Sequence, residues 1–101
     1  MEFVLQKQDL VTTVRGCGAD GNTAWLLEYY LQTHLASGKN YFGIKVAVSN
    51  PGKTLDSAAQ AIAIADNANE VFAMIDLFAK NAIGPDSLSA MVKDWLYEPA
   101  S

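Results

Sequence analysis

Hydrophobic and polar positions alternate through two neighbouring runs, and that alternation carries most of the fold information in the chain. In the first run Trp25, Leu27, Tyr29 and Leu31 fall on one face, while Leu26, Glu28, Tyr30, Gln32 and His34 fall on the other. In the second, Phe42, Ile44, Val46 and Val48 oppose Tyr41, Gly43, Lys45, Ala47 and Ser49. Burying both apolar sets together requires odd positions of the first run to face even positions of the second. A slip of one residue would turn a whole set to water.

A hairpin with the four-residue loop "ASGK" meets this parity and sets Leu31 opposite Ile44, Tyr29 opposite Val46 and Leu27 opposite Val48. Tyr30 then falls opposite Lys45, with Glu28 diagonal to it, giving a solvated outer face. A helix over 25–35 would carry apolar side chains all round its axis rather than in one stripe, so the hairpin is preferred.

Upstream, "LVTTV" (10–14) is rich in β-branched residues and reads as a strand, with Phe3 to Leu5 an open question. Downstream, "SNPGKT" is a turn by composition. The run "LDSAAQAIAIAD" has conflicting signals, since its alanine content suits a helix while Gln60 to Ala65 alternates with period two. Read as a strand, it sends Ile62 and Ile64 to the core and alanines to the other side. Read as a helix, it has only a thin stripe of Leu55, Ala59 and Ile62.

The spacing then predicts a helix opened by Asn67 with Glu70 three residues on, a capping-box pattern. Val71, Ile75 and Phe78 form its apolar stripe, widened by Phe72, Ala79 and Ala82, and Asn81 is the expected left-handed stop. Pro85 suits the first position of a last helix, which carries Leu88, Met91, Val92 and Trp95 and ends by Glu98 before Pro99. The order implies an α+β domain: a small antiparallel sheet, a three- or four-stranded meander, followed by two helices packed on one face.

Size and charge narrow the picture further. The 101 residues fit a single domain spanning 1–101, and half of them are apolar. A net charge of -4 opposes non-specific attraction to nucleic acid or anionic membranes. No run approaches the ~20 apolar residues of a membrane span, and "MEFVLQKQDL" lacks the order of a secretory signal. A cytoplasmic location is expected, in keeping with one cysteine that has no internal disulfide partner.

Several pieces together, "LEYYL", "YFGIKV", the short strand before "DNANEV" and "AIGPDSLSAMVKDWL", resemble a family of small uncharacterised proteins of low-GC Gram-positive bacteria over about residues 24–97. The resemblance implies a small sheet followed by two helices and so favours the strand reading of 59–65. It brings no reaction and no catalytic residue.

Candidate chemistry is sparse. Cys17 and His34 are the residue types of a nucleophile and base, but no third group orients them, and a solvated turn cysteine with a strand-end histidine is the plainer reading. Gly16, Gly18 and Gly21 match the G-x-G-x-x-G spacing, yet a dinucleotide loop must open a helix and the run beyond Thr23 alternates as a strand. Asp94 and Glu98, at i, i+4, read as a solvated helix face. No catalytic, cofactor-binding or metal set emerges, so the chain is expected not to be an enzyme and to need no cofactor. What remains is an outer sheet face bearing Leu26, Tyr30, His34, Tyr41 and Lys45. It is expected to serve a protein partner or self-association, with small-ligand or nucleotide binding at the glycine-rich turn 16–21 as the alternative.

Overall fold

The computed structural model describes residues 2–17, 24–49 and 57–97. Four strands, β1 (Val4–Cys17), β2 (Ala24–Ala36), β3 (Lys39–Ser49) and β4 (Ser57–Ala65), precede two helices, α1 (Ala68–Lys80) and α2 (Pro85–Tyr97). The strands form one antiparallel sheet in the order β1-β2-β3-β4, and both helices cross the same face. The α+β meander expected from the pattern is the architecture found.

The β2–β3 hairpin has the expected register, with Leu27, Tyr29 and Leu31 opposite Val48, Val46 and Ile44, and Tyr30 opposite Lys45. Its loop is tighter than "ASGK". Ala36 and Lys39 pair, leaving only Ser37 and Gly38 at the bend, with φ of 51° and 76°. Two consecutive positive φ values mark a type I′ turn, whose twist matches that of the strands it joins. Losing two residues from the loop preserves parity, so the register is unchanged.

β4 settles the helix-or-strand conflict in favour of the strand but corrects its core face. Ala59 and Ala61 pack towards the helices, while Ile62 stands 47% exposed. The cause is the register: β4 pairs Ala59 with Val46 and Ala61 with Ile44, so its odd positions face the core and Ile62 faces away. Beyond Ala61 the ladder is irregular, β3 advancing two residues to Phe42 while β4 advances four to Ala65, and there both Ile64 and Ala65 pack on the core. Alanines on this face let α2, which packs mainly over β4, approach the sheet closely.

The core is formed by Leu27, Tyr29, Leu31, Ile44 and Val46 from the sheet and Val71, Met74, Ile75, Phe78, Leu88 and Val92 from the helices. Each such side chain, fully buried, contributes about 1.5–3 kcal/mol. Met74 completes the α1 stripe at i+3, whereas Phe72, expected to widen it, lies one step round the axis and is 43% exposed. Ala82 is exposed too. Met91 and Trp95 pack on the core as the α2 spacing requires.

Asn67 caps α1, its side chain accepting from the Asn69 N–H at 2.9 Å. At the other end Asn81 is not the left-handed residue, with φ of -101°. That role falls to Ala82, φ 49°, where Ile83 N–H donates to Phe78 O and Ala82 N–H to Ala79 O. This pair of bonds is a Schellman stop with alanine in the position glycine favours. It aims the Ile83 carbonyl at the buried Tyr29 hydroxyl, which donates to it at 2.8 Å.

Candidate functional site

Because both helices lie on one face of the sheet, the even positions of β2 and their cross-strand partners line a second face with no layer above it among the described residues. All five side chains expected there, Leu26, Tyr30, His34, Tyr41 and Lys45, do share it. Leu26, Tyr30, Tyr41 and Lys45 are half-buried. Lys45 Nζ lies 5.9 Å from the Tyr30 ring centroid, and Lys39 Nζ lies 5.6 Å from that of Tyr41, so two aromatic rings each carry a cation. Phe3 meets Tyr41 edge-on at 5.3 Å. Tyr30 has its phenol pKa raised, by burial first and then by the charge and hydrogen bond of Glu28.

His34 differs from expectation. It is only 4% exposed and not a solvated strand-end group, because it sits between Leu5 of β1 and Tyr41 of β3 in the middle of the sheet. Its Nδ1 has no hydrogen-bond partner among the described residues, and burial lowers its pKa from 6.5, favouring the neutral ring.

A second feature of this face was not anticipated. Gln32, 2% exposed, donates through Nε2 to Gln8 Oε1 on β1 and to Gln60 Oε1 on β4, each at 3.0 Å. Gln60 is two strands away. It reaches Gln32 because the residue opposite Gln32 on the intervening strand is Gly43, which has no side chain to obstruct it. Gln32 Oε1 itself has no partner among the described residues. The signal was present in the sequence: Gln32 shares parity with Tyr30 and His34, and Gly43 lies opposite it in the hairpin register.

Other candidates are separated or fall elsewhere. Cys17 pairs with Ala24 at one end of β2 and His34 lies ten residues along that strand, about 34 Å at the rise of an extended chain. No nucleophile–base pair can form. Residues 18–21 of the glycine-rich turn lie outside the described residues, but the strands flanking it pair antiparallel, Cys17 with Ala24, so the turn opens a strand and not the helix of a dinucleotide fingerprint. Asp94 is exposed, and Glu98 lies outside the described residues. Among the described residues no group of three or more His, Cys, Asp or Glu side chains could hold a metal ion. No described helix is long and apolar enough to cross a membrane.

The family model of a family of unknown function (DUF6514) matches residues 7–98, which spans every described strand and both helices save the first residues of β1. The chain belongs to that family. The match reaches upstream of residues 24–97 to take in most of β1, the edge strand bearing Gln8. No curated protein and no solved structure matches the chain.

Proposed function

We propose that this DUF6514 protein is a non-catalytic interaction module of the bacterial cytoplasm, found in low-GC Gram-positive organisms, whose open sheet face receives a protein partner or a second copy. One observation carries the reading. Half-buried Tyr30 and Tyr41, each with a lysine ammonium over its ring, share the open face with half-buried Leu26 and with Gln32 and His34, whose Oε1 and Nδ1 lack partners among the described residues. A surface with apolar bodies and polar tips suits a protein partner. Nothing in the described residues favours the alternative of a ligand at 16–21.

The test is capture from the native host by the wild-type chain and by Tyr30→Asp, the variant placing a charge in the middle of the face. A protein retained by the wild type and lost by the variant, with both equally folded by circular dichroism, supports the reading. Equal capture by the two sinks it.

A further inference from the structure

We infer that β1 pairs antiparallel with β1 of a second copy about a two-fold axis at Gln8, joining two four-stranded sheets into one of eight strands. This names the partner for the self-association left open above and uses a different surface, so the two readings can fail separately.

β1 is an edge of the sheet, long and rich in exposed apolar residues, with Val4, Leu5 and Leu10 at 51%, 50% and 52% exposure. Such an edge is a template for another strand unless it is blocked. Lys7 would ordinarily block it. Here Asp9 stands on the same face at 3.5 Å, so the edge presents both charges side by side.

The register follows from face and charge. A two-fold that keeps each copy's helices on one side pairs residues of like face, and the stretch between the two bulges of β1 offers four positions for the axis, Lys7, Gln8, Asp9 and Leu10. An axis at Leu10 sets Gln8, on the open face, opposite Thr12, on the helix side, and so fails. An axis at Lys7 sets Lys7 against itself, and one at Asp9 sets Asp9 against itself. Only the axis at Gln8 places each Lys7 opposite the other copy's Asp9.

Two further features agree with that register. Gln8 uses Oε1 to accept from Gln32, and among the described residues its Nε2 donates to none. At the axis the two Gln8 amides face each other, and the row Gln60, Gln32, Gln8 continues into its mate as six linked amides. Val4 of each copy falls opposite Thr12 of the other, on the helix side. There a groove of about 440 Å³ lies open between β1 and α1, its floor formed by Val11, Thr12, Phe72, Ile75 and Ala79 and its lining completed by the Lys80–Asp76 ion pair. The exposed Val4 of one copy thus meets the unfilled groove of the other, twice.

The test is sedimentation equilibrium on the full chain, with Lys7→Glu, Asp9→Lys and an equimolar mixture of the two. The wild type should dimerise. Each single variant creates two like-charge pairs and should weaken the dimer by about tenfold or more. In the mixture, one chain carries acids at both positions and the other carries lysines at both, so every acid faces a lysine across the axis. A heterodimer of wild-type strength should then return, which a misfolded variant could not produce. Tyr30→Asp should leave this dimer intact. A monomeric wild type, undiminished dimers in both single variants, a mixture no tighter than its components, or a dimer lost only in Tyr30→Asp would each overturn the inference.

Discussion

Replacing Tyr29 with phenylalanine removes one oxygen from the most enclosed part of the molecule. Tyr29 is completely buried, and its hydroxyl donates to Ile83 O at 2.8 Å, with Phe78 O at 3.4 Å. Phe78 O keeps its bond from Ile83 N–H in the variant, but Ile83 O loses its donor. A net hydrogen bond and the desolvation of an orphaned carbonyl amount to about 1–2 kcal/mol, or roughly 5–10 °C in Tm for a domain of this size. Urea unfolding followed by tryptophan fluorescence measures the difference.

The pH dependence gives an independent check. Burial pushes the Tyr29 phenol from 10.0 up to about 12, so the unfolded chain releases that proton at lower pH than the folded one. The stabilisation is therefore full below pH 10 and is lost as pH rises from 10 towards 12. A shift of that size corresponds to ~2.7 kcal/mol, discounted to about 1–2 kcal/mol because local opening lets water reach a phenolate held at the α1–α2 junction. The stability gap between wild type and Tyr29→Phe should thus narrow above pH 10. Comparing the two proteins cancels the titration of the remaining tyrosines and lysines. A gap under about 0.5 kcal/mol at neutral pH, below the ordinary worth of one such bond, or one that stays constant from pH 9 to 11, would refute the account.

Other substitutions test separate parts of the structure. Ala82→Gly relieves the left-handed backbone at φ 49° and should stabilise by about 0.5–1 kcal/mol, read as a higher urea midpoint with unchanged slope. Gly16→Ala would drive a Cβ into the six-membered ring of the Trp25 indole and displace it; a loss of about 1–3 kcal/mol and a red-shifted emission are expected. His34, its neutral form favoured by burial, has a folded pKa below 6.5, so its contribution is complete above that pH and is lost as pH falls through the folded value. That acid slope should be absent in His34→Gln.

The hairpin was legible from sequence because a two-residue period on both strands, together with an even loop, admits one register that buries Tyr29 and Ile44 together. Helix ends were legible where local chemistry sets them, as at Asn67 and Pro85. Failures came where a non-local term overrode the pattern. Ile62 obeys the alternation of its own strand, but the pairing of Ala61 with Ile44 puts the odd positions of β4 on the core side and turns Ile62 outward, and nothing within β4 announces that register. Asn81 has the better propensity for a left-handed stop, yet docking Ile83 on the core and onto Tyr29 moves that conformation to Ala82. On the open face, location was legible and depth was not. The burial of His34 depends on its neighbours Leu5 and Tyr41, and the first of these belongs to a strand whose extent the local sequence left undecided.

The gap at Gly43 also bears on the order in which the chain assembles. Gln60 can reach Gln32, 28 residues away in sequence, only across a strand already laid in register between them. The β2–β3 hairpin, closed by a two-residue turn, needs no such preparation. β4 is therefore the strand whose amide bond forms late. Substitutions at Gln60 should speed unfolding with little effect on the folding rate, whereas those at Ile44 should slow folding; the reverse pattern in stopped-flow kinetics would contradict this order.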